Sequence, residues 1–117
     1  MKGLRQLYLD YTRIVGTIPS HFGMLENLEY LYLSNTGITG TIPSEFGALQ
    51  RLSFLGLDNT GVSGTVPLEF GGLTTLSTLY LEKTSITGAI PSELCNIDPF
   101  ISVDLGEVEC TCCVFTP

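Results

Sequence analysis

The stretch 31-LYLSNTGITGTIPSEFG-47 decides the fold. It opens with leucines at alternate positions, Leu31 and Leu33, the period-2 wording of a strand with one buried face. It then meets Gly40 and Pro43, which together forbid a long helix. Proline fixes φ and lacks a donor, while glycine is conformationally permissive.

The same wording returns along all 117 residues. Leu4, Leu28, Leu52, Leu76 and Phe100 stand 24 positions apart. Leu7, Leu31, Leu55, Leu79 and Val103 keep that step, as do Leu9, Leu33, Leu57, Leu81 and Leu105. Ile14, Ile38, Val62 and Ile86 follow, then Pro19, Pro43, Pro67 and Pro91. Phe22, Phe46, Phe70 and Leu94 close the units with Leu25, Leu49, Leu73 and Ile97. A fixed period of this size marks a repeat architecture. Four units, starting at Leu4, Leu28, Leu52 and Leu76, fill residues 1–99, and a degenerate fifth unit with a cysteine-containing cap fills 100–117. The second unit alone cannot bury Leu28, Leu31, Leu33, Ile38, Ile42, Phe46 and Leu49. Stacked on its neighbours it can, each apolar column becoming part of one continuous core.

The unit 28-LEYLYLSNTGITGTIPSEFGALQR-51 resembles the plant-type leucine-rich repeat, LxxLxLxxNxLxGxIPxxLGxLxx. The resemblance implies an α/β-type solenoid, curved and right-handed. A parallel sheet would line its concave side, short 3₁₀ or irregular segments its convex side, with a second short strand at GxIP and little true helix. It departs from the family at the Asn position, held here by Thr12, Thr36, Thr60 and Thr84. That Asn satisfies backbone groups at the turn, and an unpaired buried one costs about 1–3 kcal/mol. A hydroxyl donates and accepts, so a threonine ladder is expected to replace it in part.

The segments 93-ELCN-96 and 103-VDLGEVECTCC-113 are similar to the ends of extracellular leucine-rich repeat proteins of diatoms and related algae. The repeats are also similar to receptor-like ectodomains. Cys95, Cys110, Cys112 and Cys113 then form a disulfide cap, although the family often has a further Cys where Leu105 stands. Four cysteines allow three connectivities. Cys95 is expected to bridge one of the other three, because adjacent Cys112 and Cys113 can pair only with strain. A metal site is the rival reading, but no His is near and CxxC spacing is lacking. The cap implies an oxidising, extracellular or cell-surface location. Residues 1–10 hold no apolar signal segment, and Met1 falls in the column of Leu25, so the expectation is a chain that begins inside a repeat. Membrane attachment would then come only through parts outside it.

The net charge of −7, without a basic stripe, argues against nucleic acid. No run approaches the ~20 apolar residues of a membrane span. His21 shares a column with Glu45, Glu69 and Glu93, the pattern of a solvated face rather than of differentiated acid–base groups. The glycines follow the repeat and make no phosphate-cradling loop, and no calcium-loop spacing occurs. Neither a catalytic residue, a cofactor nor a metal is expected.

Two surfaces remain. Between the strand leucines stand Gln6, Tyr8 and Asp10, Tyr30, Tyr32 and Ser34, Phe54, Gly56 and Asp58, Thr78, Tyr80 and Glu82. Tyr8, Tyr32 and Tyr80 are expected in one column, Tyr30 and Phe54 in the next, with Gly56 leaving a notch between Tyr32 and Tyr80. Clustered exposed aromatics favour recognition of a protein, peptide or glycan, with Asp10, Asp58 and Glu82 as a rim that steers basic partners. Cross-strand stiffening of the sheet explains the same rings without a ligand. On the flank, Thr39, Ser63 and Thr87 beside Thr17, Thr41 and Thr65 predict two hydroxyl columns on a flat ribbon, the pattern of an ice-binding solenoid. Recognition through the concave face is the leading expectation, and a structural or ice-binding solenoid is the alternative.

Overall fold

The computed structural model describes residues 3–97, 99–104 and 108–116. Met1 and Leu105, on which two expectations rested, lie outside these residues. The strands are β1 (Gln6–Tyr8), β2 (Val15–Thr17), β3 (Tyr30–Tyr32), β4 (Gly37–Thr41), β5 (Phe54–Gly56), β6 (Gly61–Gly64), β7 (Thr78–Tyr80), β8 (Ser85–Ile86), β9 (Gly88–Ala89), β10 (Phe100–Asp104), β11 (Val108–Glu109) and β12 (Val114–Thr116). Among the described residues one α-helix, α1, covers Ser92–Ile97. The main sheet is parallel in the order β1-β3-β5-β7-β10-β12. A smaller one, β2-β4-β6-β8, follows each turn out of it, and β9 pairs with β11.

Each coil is an α/β-type solenoid turn built from local rules. Alternation drives the leucines inward: Leu28, Leu31, Leu33, Phe46 and Leu49 are fully buried, and Ile38 and Ile42 nearly so. Pro19, Pro43 and Pro67, extended and without donors, each open a 3₁₀ turn at Ser20–Met24, Ser44–Ala48 and Leu68–Gly72. The next coil approaches these turns closely. A Cβ on Gly47 would lie 2.5 Å from Glu69 Cβ and 2.7 Å from its carbonyl oxygen. Cys95 holds the equivalent place in the last turn, where α1 replaces the 3₁₀ segment and the sulfur bonds Cys112 instead.

The threonines close the turn after each strand. Thr12, Thr36, Thr60 and Thr84 donate to the carbonyls of Leu9, Leu33, Leu57 and Leu81 at 2.6–2.8 Å. The amides of Ile38, Val62 and Ile86 approach the last three hydroxyls at 3.3–3.5 Å. The residue before each threonine is left-handed: Tyr11, Asn35, Asn59 and Lys83 have φ between 55° and 58°.

The fifth coil departs from the 24-residue step. Ile101 pairs with Leu79 and Phe100 with Thr78, so the register advances by 22 residues. Phe100 therefore leaves the core column expected of it and stands half-exposed on the concave side, while Ile101 takes the place beside Leu79 that was expected for Val103, which stays buried two residues further on. The helical turn and Pro99 take up less chain than the preceding coils use there. The backbone ladder Tyr11 to Ser34, Asn35 to Asp58 and Asn59 to Glu82 ends with Lys83 N–H donating to the Asp104 carboxylate at 2.8 Å. β12 then covers the sheet edge at β10. Cys95–Cys112 and Cys110–Cys113 bridges tie the cap down.

Candidate functional site

The concave face is set by strand geometry. Residues alternating with the buried leucines must point away from the core, and parallel pairing stacks them coil on coil. β1, β3, β5 and β7 keep Gln6, Tyr30, Phe54 and Thr78 in one register row and Tyr8, Tyr32, Gly56 and Tyr80 in the next.

The rings do not follow those rows. Tyr8 stacks on Tyr32 with centroids 4.7 Å apart, Tyr32 on Phe54 at 4.3 Å, and Phe54 meets Tyr80 edge-on at 5.2 Å. Tyr80 meets Phe100 edge-on at 6.1 Å. Phe54 thus leaves its own row and fills the gap over Gly56, so the expected notch is occupied and the two expected columns join in one ladder. Only glycine allows this: a Cβ at position 56 would lie 2.7 Å from Ser34 Oγ and 3.2 Å from the Phe54 ring. Tyr30 lies on the same face, half-buried. Phe100 joins a ladder in which the 24-residue count gave it no place.

An acidic row runs along one side. Asp10, Asp58 and Glu82 are half-buried, and Ser34, itself buried, donates to Asp58 Oδ1 at 2.5 Å. Ser102, also buried, donates to Glu82 Oε2. Burial first, then the neighbouring phenols of Tyr8 and Tyr30 and the Asp10 carboxylate, raises the Tyr32 pKa above its ordinary value near 10. Its proton stays on. A cavity of about 160 Å³ opens among Asp10, Tyr32, Ser34, Phe54, Asp58 and Tyr80.

The other columns lie elsewhere. His21, Glu45, Glu69 and Glu93 are exposed on the convex turns. The flank pairs in a staggered register: Thr17 with Thr39, Thr39 with Gly61, and Thr41 with Ser63. A Cβ on Gly40 would meet the Thr17 methyl at 2.9 Å, so methyls pack over glycines where hydroxyls were expected side by side. The sulfurs of Cys95, Cys110 and Cys112 cluster, but all are engaged in disulfides.

Parallel coils with a leucine core, a proline-opened convex turn and a ring-lined concave sheet define a repeat solenoid. The chain belongs to the leucine-rich repeat family: one leucine rich repeat model matches residues 2–62 and another residues 75–97. Its structural neighbours make it plant-type. The ectodomain of the membrane receptor kinase GASSHO1/SCHENGEN3 from Arabidopsis thaliana, in complex with CASPARIAN STRIP INTEGRITY FACTOR 2, is 31% identical with a TM-score of 0.81 over 92% of this chain. A plant peptide hormone receptor, RGFR1 in complex with RGF2, is 33% identical with a TM-score of 0.82 over 92% of this chain. A plant ice-binding protein is 29% identical with a TM-score of 0.79 over 92% of this chain. The chain spans 13%, 17% and 35% of these structures respectively. None of the curated proteins compared matches it.

Proposed function

We propose that the chain is a recognition module of an extracellular or cell-surface leucine-rich repeat protein, binding a peptide or protein segment on its concave face. One observation carries the reading: the ladder Tyr8–Tyr32–Phe54–Tyr80–Phe100 sets one ring per coil on the surface that the core does not use. Rigid rings give contact area at low entropic cost, and binding energy concentrates in a few of them near the centre of a patch. Neighbouring structures of peptide-hormone receptors support the choice of partner class. The two disulfides support the compartment.

The test is selection of displayed random peptides on the folded, oxidised chain. Tyr32→Ala or Phe54→Ala should weaken the selected binders by about 2 kcal/mol or more, as truncating central aromatics does. Glu45→Ala, on the convex side, should leave them unchanged. Equal binding by all three variants would return the ladder to sheet stiffening.

The flank supports a second reading. Thr17, Thr39, Thr41, Thr65 and Thr87 are exposed, and a plant ice-binding protein is among the neighbours. Thermal hysteresis separates the readings, because a recognition module leaves ice growth unaltered. The staggered, glycine-spaced register favours recognition.

A further inference from the structure

The cavity at the middle of the ladder has a size, a lining and a charge that select its occupant. At about 160 Å³ it is smaller than the roughly 300–1,000 Å³ of small-molecule sites, so one side chain of a partner fits it better than a free ligand. Three rings line it, Tyr32, Phe54 and Tyr80, and aromatic faces attract a cation within about 6 Å. Asp10 and Asp58 line it as well, on coils separated by that of Ser34, so two carboxylates border one side of the rings. Ser34 holds Asp58 through one oxygen, fixing that carboxylate in place. No Lys or Arg stands in β1, β3, β5, β7 or β10 to neutralise the pair from within.

We infer that this cavity is a subsite for one cationic side chain of the partner, an arginine before a lysine. The inference rests on the recognition reading above and names its chemistry. A guanidinium is planar, weakly hydrated and able to lie on a ring while its N–H groups reach carboxylates, whereas an ammonium is compact and strongly hydrated. The partner class is therefore a basic peptide or a loop with an exposed arginine, and the net charge of −7 favours its approach.

The peptides recovered by display selection provide the test. Sequencing should show arginine enriched at one position. In a synthetic binder, replacing that arginine by neutral, near-isosteric citrulline should weaken binding at least tenfold, and by lysine less. Asp58→Asn and Asp10→Asn should each remove most of the discrimination between arginine and citrulline, with circular dichroism checking that the fold persists. Binders that depend on Tyr32 but show no basic enrichment, or that ignore both Asp variants, would overturn the subsite and leave concave recognition standing. Binders indifferent to Tyr32→Ala would overturn both.

Discussion

Thr60→Val tests the threonine ladder. Valine keeps the shape of threonine and removes only the hydroxyl, which at position 60 donates to the Leu57 carbonyl at 2.6 Å. Thr60 is only 8% exposed, so water cannot readily replace that donor. A buried carbonyl left without its partner costs about 1–3 kcal/mol. The Val62 amide, 3.5 Å from Thr60 Oγ1, adds little at that length. With an unfolding entropy of about 2.1 cal/mol/K per residue, 117 residues give about 0.25 kcal/mol/K. A loss of about 2 kcal/mol therefore lowers Tm by about 8 °C. Thr12→Val is the control. It removes the same 2.6 Å bond, to Leu9, but from an exposed residue where water can substitute, and should cost about 0.5 kcal/mol or less. Thr36→Val and Thr84→Val, half-buried, should fall between. The measurement is thermal unfolding of the four variants by circular dichroism. Four equal shifts, or a neutral Thr60→Val, would refute the claim that burial of the ladder sets its worth.

Gly56→Ala should expel the Phe54 ring or break the Ser34–Asp58 bond, costing about 1–3 kcal/mol by overpacking, with the ring shift visible by NMR. Cys95→Ser with Cys112→Ser opens a loop with a sequence separation of 17 and should cost about 3 kcal/mol on the chain-entropy account. Hydrogen exchange should then rise in the cap while the central coils stay protected. Lys83→Gly should stabilise by about 1 kcal/mol in a denaturant titration, because its φ of 58° disfavours an L side chain and the backbone bond to Asp104 survives. Because the folded-state pKa of Tyr32 is raised, its contribution to stability is full below about pH 10 and is lost as pH rises through the folded value. Tyr32→Phe should remove that part of the alkaline destabilisation, read as the pH dependence of the unfolding midpoint.

The coils were legible because every core position is restated in each unit: Leu31, Leu55 and Leu79 announce one another, and all three are fully buried. The fifth coil was not. Counting by 24 assumes that every convex turn consumes the same length of chain, and α1 breaks that assumption, moving Phe100 outward and putting Ile101 where Val103 was expected. Strand alternation placed Tyr8, Tyr30, Tyr32, Phe54 and Tyr80 on the concave side, but it fixes Cα rows and not ring positions. Phe54 crossed rows because Gly56 leaves space that a β-carbon would close. Gly56 was visible in the sequence, and its proximity to Phe54 was the available signal. The partners of Cys110 and Cys113 were not readable, since spacing alone leaves connectivity open. Ser34 was readable only as an outward strand residue, and neither its burial nor that of Ser102, with their bonds to Asp58 and Glu82, had a sequence signal.

The ladder also makes the protein its own optical reporter. The chain has no tryptophan and five tyrosines. Tyr8, Tyr30, Tyr32 and Tyr80 stand on the concave sheet and Tyr11 lines the edge of the central cavity. Ultraviolet emission from the untagged chain therefore originates almost wholly at one face, and the 4.7 Å stacking of Tyr8 on Tyr32 lets excitation pass between neighbouring phenols. Anything that settles on that face alters the emission without a label, whereas contact with the convex turns, which carry no fluorophore of this kind, stays dark.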